Sequence, residues 1–181
     1  DDYDHVINEA KKAGVDEIIN VGTQVSSSKW AVDLAQKYEN LYAIVGIHPH
    51  HSDKVTVGHP EQREGSHKRD SIASLQNDDW ITELEKLTKH PKVVAIGEIG
   101  LDYYYDRASR DVQKQVFREQ MEVARELGMP VVIHCREAMG DLMVLVADFS
   151  RTKFVLHCCT EKWPIAAEIL GAGGLLSFTG V

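Results

Sequence analysis

Three apolar runs constrain this chain most, because each ends in a side chain able to bind a proton or a metal ion. They are Val93-Val94-Ala95-Ile96-Gly97-Glu98, Pro130-Val131-Val132-Ile133-His134 and Lys153-Phe154-Val155-Leu156-His157. Apolar runs this short, with Pro91 before the first and Gly100 after it, read as buried parallel strands rather than helices. Glu98, His134 and His157 then leave three different strands at the same end and can converge. Side chains alternate along a strand, so if these three point into a barrel, Gly97, Ile133, Leu156, Cys135 and Cys158 point outward under helices.

The rest of the chain repeats the design. Residues 16–23, 41–47 and 173–180 read as further strands. Helical spacing marks residues 2–13, 26–38, 80–90 and 109–127, a stretch through Leu142, Val146 and Phe149, and another from Pro164 to Leu170. Helix and strand alternate, which is the pattern of βα units on a parallel sheet. Polar groups at several successive strand exits favour a barrel over an open sheet, because the strand ends of a barrel ring one mouth. A complete barrel takes about 250 residues. The expectation is an α/β fold, a (β/α)8 TIM barrel incomplete in this chain, with roughly six βα units. Residues 52–78 break the pattern with Gly, Ser, His and alternating charge, and read as a surface excursion or a lid.

Composition narrows the partners. With 43% hydrophobic residues among 181, one globular domain over 1–181 is expected and disorder is not. A formal charge of -8 argues against unspecific clinging to polyphosphate, so a nucleic acid must be held locally or through metal. Three cysteines make no disulfide framework, which suits a reducing compartment and a cytoplasmic protein, with the nucleus as the alternative. No apolar stretch approaches the roughly 20 residues that span a bilayer, so no membrane partner is expected. The start lacks the pattern of a signal peptide, although a chain opening without methionine leaves room for a lost leader.

Two imidazoles and a carboxylate from separate strands suit a divalent ion, Mg, Mn or Zn, and such an ion suits hydrolysis. A lone histidine at a strand end is more often a structural one; the coincidence of three exits favours metal. His48, His50 and His51 lie at the exit of the strand before Glu98 and read most plainly as loop histidines, with His50 assigned to substrate or phosphate contact. Arg136 stands two residues beyond His134, where a guanidinium can hold phosphate oxygens, or can simply pair with Glu137 or Asp141. Asp102 and Tyr103 lie where a base and a stacking ring would serve substrate, though a helix cap and a packed ring account for them equally well.

Five blocks in order, Gly46-Ile47-His48-Pro49-His50, Gly97-Glu98-Ile99-Gly100-Leu101-Asp102-Tyr103, Ile133-His134-Cys135-Arg136, His157-Cys158 and Leu176-Ser177-Phe178-Thr179-Gly180, resemble the TatD family of metal-dependent deoxyribonucleases. The resemblance implies an amidohydrolase-type TIM barrel and metal-dependent hydrolysis of DNA phosphodiesters, often from the 3′ end and on single strands. It implies Glu98 as a metal ligand, bridging where two ions bind, with His134 and His157 on the neighbouring ion. Catalytic weight then falls on Glu98 and Arg136. Two motifs of the family, a His-x-His pair on the first strand and a Glu-Thr-Asp near the last, have no counterpart here, so the domain is expected to lack the first and last strands. His157-Cys158-Cys159-Thr160-Glu161 replaces the family's His-Cys-Phe-Thr-Gly. The alternatives are a barrel hydrolase of another ester or amide, motivated by the acidic charge, and a truncated, non-catalytic form. Oligomeric state is not legible.

Overall fold

The computed structural model describes residues 2–55 and 79–179. Six parallel strands stand in sequence order in one sheet: β1 (Ile18–Val21), β2 (Leu41–Val45), β3 (Val93–Asp102), β4 (Val131–Arg136), β5 (Phe154–Leu156) and β6 (Leu175–Leu176). The helices are α1 (Tyr3–Lys12), α2 (Val25–Lys37), α3 (Asp79–Thr88), α4 (Arg110–Leu127), α5 (Met139–Ala147) and α6 (Trp163–Gly171). This is an arc of a βα barrel: among the described residues β1 and β6 each pair on one side only. The excursion expected over 52–78 opens inside a 3-10 helix, Pro49–Lys54; the stretch from 56 to 78, and any lid in it, lies outside the described residues.

Two apolar clusters fill the space between sheet and helices. One joins α2 and α3 to β2 through Ala31, Leu34, Leu41, Val45 and Trp80; the other joins α4, α5 and α6 to β3, β4 and β5 through Phe117, Met121, Ile133, Leu142 and Leu156. The opposite, concave face of the sheet is a trough lined by Ile19, Val21, Ile44, Val94, Val132 and Val155, with Glu98, His157 and Ser177 among its polar groups.

α4 does more than cover the sheet. Ser109 caps its start by accepting from Val112 N, and Gly128 closes its end in the left-handed region at φ 65°. Two buried glutamines, two turns apart on one helix face, reach the strand exits. Gln120 Oε1 accepts from Ile47 N at 2.7 Å and its Nε2 donates to Ile47 O at 3.1 Å. Gln113 Oε1 accepts from Asp102 N at 2.8 Å and its Nε2 donates to Asp102 O at 3.1 Å. A buried amide is tolerated only when its groups are paired, and here each amide pairs with the main chain just where a strand ends.

The alternation read from sequence holds on β4, where Ile133 is in the helix-side core and His134 on the concave face. It breaks on β3. Ile96 pairs with Val131 and Ile99 with Ile133, so β3 carries one extra residue at Gly97-Glu98, a bulge. Ile96 and Ile99 therefore both reach the core, and Glu98 turns to the trough between them. From there β3 runs regularly to Asp102, which shares the face of Glu98. Gly100 pairs with His134 at φ 142°, and a Cβ there would overlap the His134 carbonyl oxygen.

Two substitutions test this framework in urea unfolding. Gln120→Leu strands the buried N–H and C=O of Ile47 and should lower stability by about 2 kcal/mol. Gly100→Ala adds both overlap and strain and should cost about 3 kcal/mol. Parent-like unfolding midpoints would contradict both assignments.

Candidate metal centre

Three neighbouring strands deliver the site, and β3 runs on past Glu98 to Asp102 and β4 past His134 to Arg136, so these two side chains leave within their strands and not at the ends read from sequence. Beyond β2, His48 N donates to Thr23 O at 3.0 Å, continuing the strand ladder. A residue before proline is biased to extended backbone, and His48 keeps φ −65°, ψ 145° while Pro49 starts the 3-10 helix. His48 Nδ1 accepts from His50 N at 3.2 Å, which orients the first ring. The β3 bulge presents Glu98, and β4 presents His134 directly across from Gly100. One ligand atom from each of His48, Glu98 and His134 lies within 4.8 Å of the others, and all three residues are half-buried.

A second layer of contacts holds this triplet. His134 Nδ1 lies 3.2 Å from Glu98 Oε1, and its Nε2 lies 2.9 Å from Asp102 Oδ2. The same Asp102 oxygen meets His50 Nε2 at 2.9 Å, while Oδ1 accepts from Tyr105 N at 2.8 Å. Asp102, fully buried, thus has both oxygens occupied.

The charges follow. Burial, then the neighbouring His134, pushes the His48 pKa down to about 4, so this ring stays neutral; its one lone pair, on Nδ1, accepts from His50 N, and binding an ion would release that hydrogen bond. Burial opposes charge on His134 too, but the Glu98 and Asp102 carboxylates outweigh it and raise its pKa above the ordinary value. Burial would raise Glu98 and Asp102; hydrogen bonds prevail and both sit below the ordinary range. His134 is the main partner of Glu98, while Tyr105 N, His134 and His50 share Asp102. A neutral imidazole, a carboxylate and a second imidazole already flanked by carboxylates fit a divalent ion. The ion would take the place of the His134 proton.

Of the residues singled out in the sequence, Glu98 and His134 stand in this triplet. His157, held through His157 N to Ile133 O at 2.8 Å, lines the trough with Glu98, but its Nδ1 lies 3.3 Å from Ser177 Oγ and it stands outside the triplet. His50 is bound to Asp102 instead of projecting freely. Asp102 is a buried anchor for two imidazoles. Tyr103 turns from the mouth: its hydroxyl donates to Asp141 Oδ2 at 2.6 Å, and Arg110 lies over its ring at 4.3 Å. Arg136 is exposed at the end of β4, its guanidinium 4.0 Å over the Tyr104 ring. His48, left out of the metal set in the sequence reading, is the residue the structure adds beside Glu98 and His134. The signal was Pro49, which keeps the preceding residue in line with the strand and diverts His50.

Known proteins resemble this chain in sequence and fold. The family model described as TatD related DNase matches residues 1–181. The uncharacterized metal-dependent hydrolase YabD of Bacillus subtilis is 33% identical over 182 residues, 99% of this chain and 63% of its own length. The 3′-5′ ssDNA/RNA exonuclease TatD of Cronobacter turicensis is 33% identical over 181 residues, 99% of this chain and 61% of its own. Among solved structures, the TatD homologue YJJV of Escherichia coli superposes with a TM-score of 0.76 at 26% identity, over 97% of this chain and 61% of that one. A TatD-family hydrolase of Entamoeba histolytica gives 0.76 at 26% identity, over 99% of this chain and 56% of that one. The chain spans about three-fifths of the length of these relatives. On the match along its whole length, it belongs to the TatD-related DNase family.

Proposed function

We propose that this chain carries the metal-dependent hydrolytic centre of a nuclease that cuts phosphodiester bonds of single-stranded nucleic acid, working from the 3′ end. The observation that carries the reading is the convergence of His48, just beyond β2, with Glu98 at the β3 bulge and His134 within β4, on three neighbouring strands. The name borne by the Cronobacter relative supports the substrate class. A divalent ion held there lowers the pKa of bound water and polarises a phosphoryl oxygen.

The protein's own groups have distinct tasks in this proposal. Glu98 serves more than one ion in this reading, which its position between His48 and His134 on one side and the His157 part of the trough on the other supports. Asp102 holds the His134 and His50 rings in place and favours the protonated form of His134 until an ion displaces that proton. Arg136 supplies a cation at the rim for a phosphate, which an overall charge of -8 otherwise repels. Tyr103, tied to Asp141, fixes the loop behind Asp102.

Metal titration by calorimetry tests the donor set. Binding should release about one proton per ion at pH 6, from His134, and fewer as pH rises above the His134 pKa; His48, already neutral, contributes none. Affinity should therefore rise with pH, whereas a heat independent of buffer ionisation would contradict the proton assignment. Asp102→Asn should weaken the ion by about 10–100-fold, as loss of a ligand-orienting carboxylate does. With Mg or Mn present, the chain should shorten a 5′-labelled single-stranded oligonucleotide from its 3′ end, and Glu98→Gln should slow this by about 100-fold or more. An uncut oligonucleotide at saturating metal would overturn the nuclease reading.

A further inference from the structure

The loop behind Asp102 carries more aromatic surface than the metal centre uses. Tyr103 is committed to Asp141 and Arg110, but the next two tyrosines are not. Tyr104 is 52% exposed and Tyr105 49%, and neither hydroxyl bonds to a described residue. Their backbone is nonetheless fixed, because Tyr105 N donates to the buried Asp102 carboxylate. The two rings meet edge to face, with centroids 4.8 Å apart.

Cations collect around them. Arg136 lies 4.0 Å over the Tyr104 ring and 5.0 Å from the Tyr105 centroid, and Arg107 lies 5.5 Å from Tyr105. Among the described residues, neither Arg107 nor Arg136 has a carboxylate partner, although acidic groups outnumber basic ones, 28 to 20. On its inner side Tyr105 receives the His50 ring edge-on at 5.3 Å, and His50 is bound to the carboxylate that also binds His134. A chain of edge-to-face ring contacts therefore links the metal-site imidazoles to the exposed tyrosines, and two guanidinium groups without a carboxylate partner among the described residues lie over those rings.

An exposed tyrosine alone is ordinary loop surface. Two in contact, fixed from beneath, flanked by arginines that have no carboxylate partner among the described residues and joined to a candidate hydrolytic centre, make a surface for a planar group attached to an anion. We propose that Tyr104 and Tyr105 form a base-stacking platform, with Arg136 holding the adjoining phosphate, for the nucleotide next to the scissile bond. This rests on the nuclease reading and deepens it. A base must leave its complement and its neighbour to lie on these rings, so the platform selects unpaired strands and senses bases without reading their sequence.

The test is fluorescence anisotropy on the full chain in EDTA, with two labelled single strands of about eight nucleotides, one of thymidylates and one an abasic phosphodeoxyribose chain of equal charge. The parent should bind the base-bearing strand about tenfold more tightly. Tyr104→Leu with Tyr105→Leu should bring that ratio close to one, and Tyr104→Phe with Tyr105→Phe should keep it. Equal affinity of the parent for both strands overturns the platform, as does a ratio that survives in the leucine pair. The parent and phenylalanine ratios remain decisive even if the leucine pair does not fold. Cleavage with Mg or Mn separates the two ideas. A strand cut without base preference sinks the platform alone, and base-dependent binding of a strand that is never cut sinks the nuclease reading alone.

Discussion

A buried carboxylate sets the terms of this structure. Removing Asp102 from water is costly unless both its oxygens are engaged, and the chain engages them with two imidazoles and one backbone N–H. Each partner is thereby fixed: His134 at the exit of β4, His50 in the turn after β2, and Tyr105 in the loop after β3. Gln113 then holds the Asp102 main chain at both its N–H and its C=O. One residue thus ties three segments of the barrel mouth together, and the helix α4 ties that residue to the core.

The same economy explains β3. A regular strand cannot place Glu98 in the trough and still bury both Ile96 and Ile99 against α4. The bulge at Gly97-Glu98 resolves this, and glycine at 100 lets β3 approach the His134 backbone after the register has shifted. Precision at the site therefore comes from main-chain devices: a bulge at Glu98 itself and glutamine clamps on Asp102 and on Ile47, the residue before His48. Such sites hold geometry better than sites carried by loops alone.

Much of this was legible in the sequence, because parallel strands buried on both faces announce themselves as short apolar runs. The order of βα units, the open barrel and the positions of Glu98 and His134 follow from those runs and their polar ends. The bulge was not legible, since a period of two says nothing about where an extra residue enters. His48 was read as a loop residue because histidines before and after a proline look equivalent in a string; only the backbone preference of the pre-proline position separates them. Tyr103, Tyr104 and Tyr105 were equally alike in the string. Asp141, remote along the chain, and Arg110, at the start of α4, decide that the first is structural and leave the other two exposed.

The central claim is that His48, Glu98 and His134 close on one divalent ion. Anomalous diffraction at the zinc edge, from crystals of this chain grown with Zn, tests it most directly. The account predicts a peak about 2.0–2.2 Å from one donor atom of each of the three residues. A zinc ion bound elsewhere, with the His134 ring still held between Glu98 and Asp102, would contradict it.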